Sequence, residues 1–130
     1  MSLSVPPALQ HQAERGAVAD EQFIDCVRDS LPYAYGLVES LTRELSDSGR
    51  EFADNLVPPP DEQARGELLR AMASDAIRGA LERHFGVTLA FQNCHRLAAF
   101  RRGAAGSPSH RAFTSVRAQI LNQRPELVNC

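Results

Sequence analysis

The stretch Glu67–Arg102, with the sequence ELLRAMASDAIRGALERHFGVTLAFQNCHRLAAFRR, decides the fold. Its first half carries apolar residues at helical spacing, and its second half alternates in the way of a strand. The change falls at Gly86, a residue type that often ends helices in a left-handed conformation. The stretch therefore predicts a long helix followed by a β-hairpin.

The long helix begins at Asp61, because a carboxylate there suits the N-cap position. Ala71, Ala76 and Gly79 make the helix narrow, so that another backbone could approach it closely. A glycine inside a helix costs up to about 1 kcal/mol relative to alanine. We therefore expect close packing at Gly79 as compensation.

The hairpin follows from alternation in two runs. Val87, Leu89 and Phe91 alternate with smaller or polar residues, Asn93-Cys94 is a candidate two-residue turn, and His95–Arg101 returns. One two-stranded hairpin is marginally stable in water. We therefore expect it to pack on the helices or to pair with a second copy, which would give a four-stranded sheet in a dimer.

The remaining chain completes a single domain over residues 1–130, with a helix-dominated α+β fold. The segment Phe52–Pro60, FADNLVPPP, is interpreted as a linker because its three prolines forbid a helix. Its proline-rich part, 57–60, separates a helical N-terminal part from a helix–hairpin–helix C-terminal part. Further helices are predicted over Pro6–Glu14, from Asp20, from Ser30-Pro32 and from Ser107-Pro108.

The composition excludes several classes of function. The 14 basic and 16 acidic residues give a net charge of −2, so no general attraction to nucleic acid or to an anionic membrane is expected. Every basic residue is an arginine, which rules out Schiff-base and Walker lysines. Three cysteines without C-x-x-C spacing, and no secretory leader or apolar run of membrane-spanning length, predict a cytoplasmic protein with reduced thiols.

The strongest polar cluster is Asn93-Cys94-His95-Arg96. His95 is a candidate general base, Cys94 a thiol within reach, and Arg96 a clamp for an anion. The structural alternative is a polar hairpin turn with a packed cysteine.

Three residues of the long helix are further candidates. His84 lies on its apolar stripe and would converge with His95 on one pocket, because Gly86 turns the chain back; alternatively it packs at the rim of the core. Asp75 and Arg78, at i and i+3, form either a solvated ion pair or a carboxylate held in a site. A zinc site is not predicted, since the spacing of His84, Cys94 and His95 matches no established pattern.

The segments FADNLVPPPDEQARG at 52–66, LLRAMASDAIRGALERHFGVTLAFQNCHRLAAF at 68–100 and FTSVRAQILNQ at 113–123 resemble a small family of streptomycete and related actinobacterial proteins. That family is similar to the lysinoalanine-forming proteins of the duramycin and cinnamycin lantibiotic clusters. The resemblance implies a dimeric protein that needs no cofactor and adds a substrate lysine amine to a dehydroalanine of the same peptide.

On that resemblance, His95 would accept or relay a proton and an arginine would bind a substrate carboxylate. The expected catalytic residues are His95, Asp75 and His84, and the expected substrate-binding residues are Arg96, Arg78, Asn93 and Gln92. The two amides would donate to the developing enolate oxygen. The competing hypothesis is a non-catalytic binding or regulatory module that acts as a homodimer, with a protein partner in place of a peptide substrate.

Overall fold

The computed structural model describes residues 2–92 and 95–122. The fold is α+β and dominated by helices, as predicted. Its elements are α1 (Pro7–Glu14), α2 (Asp20–Ser30), α3 (Pro32–Ser48), β1 (Phe52–Asp54), α4 (Glu62–Ala73), α5 (Asp75–Phe85), β2 (Val87–Gln92), β3 (Arg96–Arg101), α6 (Pro108–Phe113) and α7 (Val116–Leu121).

The three strands form one antiparallel sheet in the order β1-β3-β2. The predicted hairpin is confirmed, with Leu89 opposite Ala99 in the pairing of β2 with β3; its turn at Asn93-Cys94 lies outside the described residues. The linker interpretation was wrong for residues 52–54, which pair with β3. The Phe52 ring stacks on Phe100 with centroids 4.9 Å apart, a long-range contact that a three-residue pattern does not reveal.

The added strand changes the argument for a dimer. One edge of the hairpin is covered by β1 of the same chain, so the sheet has a third strand without a second copy. On the opposite edge, the Leu89 amide donates to the Glu82 carboxylate at 2.8 Å. A charged side chain on a strand edge discourages further pairing. Pairing of hairpins across a dimer remains a prediction, with less physical reason behind it.

The predicted long helix is two helices. Ser74 has an extended backbone between α4 and α5, and its hydroxyl accepts a hydrogen bond from the Ile77 amide at 3.2 Å. The single-helix prediction was wrong because apolar spacing continues across this N-cap. Asp61 caps α4 as predicted, and Gly86 ends α5 in the left-handed conformation at φ 70°.

The close backbone packing expected at Gly79 is also absent from the described residues. A Cβ built there would meet only the end of the Arg83 side chain, at 3.3 Å. Gly79 therefore does not serve to admit a neighbouring backbone.

The sheet separates two apolar clusters. The larger lies between the sheet and helices α2 to α5, and it draws on residues before and after the proline run; its fully buried members include Val27, Leu31, Val38, Leu68, Leu81 and Leu97. The smaller, on the other face, groups Phe100 with Phe113, Ala90, Ala98 and Ala104. Within residues 2–92 and 95–122, no helix is both long enough and apolar enough to cross a bilayer.

Candidate functional site

The candidate residues from the sequence do not meet in one hollow. His84 and His95 flank opposite ends of β2, and six residues of strand span about 20 Å. Asp75 and His84 stand at opposite ends of α5, about 14 Å apart along the helix. The expected convergence was wrong, because the strand that follows Gly86 leads away from His84.

His84 is an exposed residue of the last turn of α5. Its Nε2 lies 3.3 Å from the Tyr35 hydroxyl, and its ring meets the edge of Phe85 with centroids 4.7 Å apart. The cleft beside it, of about 250 Å³, contains a two-point ion pair in which Arg83 donates to Asp20 at 2.8 and 3.0 Å. The arrangement is that of a packed surface histidine next to neutralised charges.

Asp75 and Arg78 hold the junction between α4 and α5. Arg78 donates to the Asp75 carboxylate at 2.5 Å and to the Met72 carbonyl at 2.8 Å. The second bond satisfies a carbonyl in the last turn of α4, where cations are favoured. The Asp75 side chain is 94% exposed, so this pair is the solvated alternative rather than a carboxylate enclosed in a site.

Arg96 forms an ion pair with Asp54 of β1. Its Nε and Nη2 donate to one oxygen of Asp54 at 3.0 and 2.5 Å, and the Asp54 side chain is only 10% exposed. Next to this pair, the side-chain amide of Asn55 donates to the backbone carbonyl of His95 at 2.7 Å and accepts from the backbone amide of Leu97 at 2.8 Å. The two contacts join the end of β1 to the start of β3, so Arg96 acts here as a structural link.

His95 is half-buried beside two guanidinium groups. Burial lowers the pKa of His95 below its ordinary value, and the positive charges of Arg65 and Arg96 lower it further. A neutral imidazole can accept a proton, but this surrounding makes it a weaker base. The Arg65 Nε is buried and has no hydrogen-bond partner among the described residues.

Gln92 was expected as a donor to an enolate. It is buried on the face of the sheet that carries the smaller apolar cluster. Its Nε2 donates to the Phe113 carbonyl at 2.9 Å, which attaches α6 to β2. Its Oε1 has no partner in residues 2–92 and 95–122. The other expected donor, Asn93, and the neighbouring Cys94 lie outside the described residues.

One open feature is a groove that the sequence interpretation missed. It has a volume of about 530 Å³ and lies between α3 and the segment from Asp54 to Pro60. We call it the α3 groove; its lining residues are Tyr33, Leu37, Ser40, Leu41, Glu44, Asp54, Asn55, Leu56, Val57, Pro58 and Pro60.

Apolar side chains dominate the α3 groove, and two of them stand in solvent. Leu56 is 86% exposed and Val57 is 75% exposed. Burying such a side chain fully is worth about 1.5–3 kcal/mol. The signal in the sequence was this apolar pair inside FADNLVPPP, in a segment that a simple linker would make polar.

A buried carboxylate fixes one wall of the groove. Glu67 of α4 is 3% exposed, and it accepts a hydrogen bond from the Tyr33 backbone amide at 2.7 Å. This amide belongs to the first turn of α3. Backbone amides in a first turn have no intrahelical partner, and the positive end of the helix dipole favours negative charge. Burial raises the pKa of the Tyr33 phenol, and the charge of Glu67 raises it further.

The described residues offer no metal centre. In residues 2–92 and 95–122, no three histidine, cysteine, aspartate or glutamate side chains are grouped so as to hold an ion. The geometry instead defines a small α+β protein with the order of strands and α-helices β-α-α-β-β-α-α from β1 onward and an open, mainly apolar groove beside its first strand.

Comparison with known proteins places the chain in a family. It belongs to the family whose sequence model, KH_NucS_shadow, is described as NucS shadow ORF and matches residues 1–130. No curated protein and no solved structure matches the chain. The assignment to a family similar to lysinoalanine-forming proteins was therefore wrong. The expected role in lantibiotic biosynthesis and the expected dehydrated peptide substrate depended on that assignment and were wrong as well.

Proposed function

We propose that this protein is a non-catalytic binding module that docks a protein partner in the α3 groove. The observation that carries the proposal is the exposure of Leu56 and Val57 beside a groove with a fixed wall. Exposed apolar patches next to polar rims are typical of sites for other proteins. A bound partner that buried these two side chains would gain free energy from their removal from water.

The positions of the candidate catalytic residues support binding rather than catalysis. General acid–base chemistry needs its groups within hydrogen-bond reach of one substrate atom. His84 contacts Tyr35, Asp75 pairs with Arg78, and His95 lies at the other end of β2. The three side chains therefore lie too far apart to act on one substrate atom.

NucS is the partner to test first. The description of the family, NucS shadow ORF, names NucS. The net charge of −2 also favours a protein partner over a polyanion. In the complex, apolar side chains of the partner would cover Leu56 and Val57.

Nucleic acid is the weaker candidate, although the family's name begins with KH. KH domains clamp a strand's backbone with a Gly-x-x-Gly loop. The one such sequence here, Gly103–Gly106, uses its amides internally: Ala105 donates to the Arg102 carbonyl and Gly106 to His110. At the turn between α4 and α5, the exposed Asp75 would repel a phosphate.

The proposal includes three expectations from the sequence: a cytoplasmic protein, one domain over residues 1–130, and a homodimer. A homodimer would need a surface other than the β2 edge at Leu89, which Glu82 occupies. Light scattering at micromolar concentration gives the mass of the free chain and decides this point.

Calorimetric titration of NucS into the chain tests the function. Val57→Glu places a charge in the groove, and we expect at least about a tenfold loss of affinity, since burying an unpaired charge is costly. Val116→Glu is the matched control, because Val116 of α7 is 76% exposed and lies outside the groove. No binding by the wild type, or equal loss in both variants, would contradict the proposal.

A further inference from the structure

Strand β1 lies at an edge of the sheet, and its outer side has backbone groups without partners in the described chain. It pairs only with β3. The backbone amide of Asn55 donates to the Leu97 carbonyl at 3.2 Å, and the backbone carbonyl of Glu51 accepts from the Arg101 amide at 3.1 Å. Positions 51, 53 and 55 therefore face β3.

The alternate positions must face outward. In an antiparallel pair, every second residue exchanges both of its backbone hydrogen bonds with the partner strand. The N–H and C=O groups of Phe52 and Asp54 therefore point away from β3, and no described residue bonds them. Two donors and two acceptors in this arrangement form a template for another strand.

The two edges of the sheet differ in this respect. At the β2 edge, the outward amide of Leu89 is occupied by Glu82, whose charge also opposes an incoming strand. At the β1 edge no side chain among the described residues occupies the amides of Phe52 and Asp54. An added strand is thus favoured on the β1 side.

The α3 groove begins where this edge ends. Asp54 is both the last residue of β1 and a lining residue of the groove. Beyond it, Leu56 and Val57, together with Leu37 and Leu41 of α3, contribute to the apolar lining of the groove. A peptide that continues from the edge into the groove would find backbone partners first and apolar contacts next.

The charges of the groove favour a basic peptide. Glu44 and Asp54 are its charged lining residues, and both are acidic. Both hydrogen bonds from Arg96 fall on Oδ2 of Asp54, and its Oδ1 accepts none from the described residues. Because Arg96 already neutralises Asp54, a lysine or arginine between apolar residues would pair with Glu44.

We infer that an extended segment of the partner protein, with alternating apolar and basic residues, binds by adding a strand to the outer edge of β1. The inference rests on the proposed function and specifies how that site is used. Main-chain hydrogen bonds to Phe52 and Asp54 would supply affinity, and the apolar and acidic lining of the groove would supply specificity.

Amide hydrogen exchange of the full chain tests this mode of binding. The probe is acetyl-Arg-Val-Arg-Val-Arg-Val-amide, followed by NMR at millimolar concentration. We expect exchange at Phe52 and Asp54 to slow by at least about tenfold, since new hydrogen bonds protect amides. Asn55, which already donates to Leu97, is the internal control and should change little.

A second peptide, with glutamate in place of each arginine, tests the charge match and should bind more weakly. Glu44→Gln should reduce this difference between the peptides, whereas Glu14→Gln on α1 should not. Equal binding of both peptides would overturn the basic character of the partner segment.

Three other results would overturn the inference in distinguishable ways. Shifts at Leu56 and Val57 without slower exchange at Phe52 and Asp54 would exclude strand addition and leave the groove as a docking site. Slower exchange that depends on protein concentration without peptide would assign the edge to a second copy. No shift with the peptide would exclude this ligand class, and the proposed function fails as well only if NucS gives no binding.

Discussion

The region around β2 and β3, which we call the hairpin side, and the α3 groove differ in whether their side chains have partners within the chain. On the hairpin side, several polar side chains have internal partners: Glu82 accepts from the Leu89 amide, Arg96 donates to Asp54, and Gln92 donates to the Phe113 carbonyl. In the groove, Leu56 and Val57 have no apolar cover. The comparison teaches that residue type alone marked as the site a region whose polar side chains mainly hold the fold together.

This difference predicts two kinds of mutational effect. Changes on the hairpin side should lower the free energy of unfolding, because those side chains complete the fold. Changes at the exposed apolar residues of the groove should leave stability within about 0.5 kcal/mol, as for most surface positions. They should act on partner binding instead.

The largest effect is expected for Phe100→Ala. Phe100 is fully buried, and its ring stacks on Phe52 and meets Phe113 edge to face. Removing a buried phenylalanine ring typically costs about 3–5 kcal/mol. Urea unfolding should show this loss, and a loss below about 1 kcal/mol would mean that the smaller cluster is not packed as described.

The next effect is expected for Asn55→Ala, at the point where the two regions join. The change leaves the His95 carbonyl and the Leu97 amide without their side-chain partner. An unsatisfied buried group costs about 1–3 kcal/mol. Ser40→Ala is the control, because Ser40 also lines the groove but is exposed, and equal losses in both variants would sink this account of Asn55.

A smaller effect concerns acid sensitivity on the hairpin side. The pKa of His95 is lower in the folded chain than its ordinary value of 6.5, mainly through burial and then through Arg65 and Arg96. The unfolded chain therefore binds more protons at this residue, and stability falls as the pH drops below 6.5 towards the folded pKa. His95→Gln should reduce the loss of unfolding free energy between neutral and mildly acidic pH. An unchanged pH profile would contradict the assignment.

The smallest effect is expected for His84→Ala. His84 is exposed, and its hydrogen bond to Tyr35 competes with water. We expect a change within about 0.5 kcal/mol in unfolding free energy. Binding of NucS should be unaffected, and a clear loss of binding would return His84 to the functional site.

Much of the fold could be predicted from local chemistry. Asp61 as an N-cap, Gly86 as a left-handed helix end and the alternation from Val87 onward all specified the structure that formed. The break at Ser74 could also be foreseen from its cap chemistry, but the apolar spacing on both sides concealed it. Strand β1 could not, because three residues become a strand only by pairing with β3.

The site was harder to predict than the fold. Histidine and arginine suggest chemistry wherever they occur, yet their roles depend on distant partners such as Tyr35 for His84 and Asp54 for Arg96. The groove depends on the path of the proline segment beside α3, which sequence spacing does not specify. Only the apolar pair Leu56-Val57 within that segment was visible beforehand.

The most direct test is to map NucS binding on the isotopically labelled chain by NMR. The account predicts that the amide signals of Leu37, Leu41, Leu56 and Val57 shift or broaden, while those of Arg78 and His84 stay in place. Changes centred on His84, His95 and Arg96, with the groove unaffected, would contradict it.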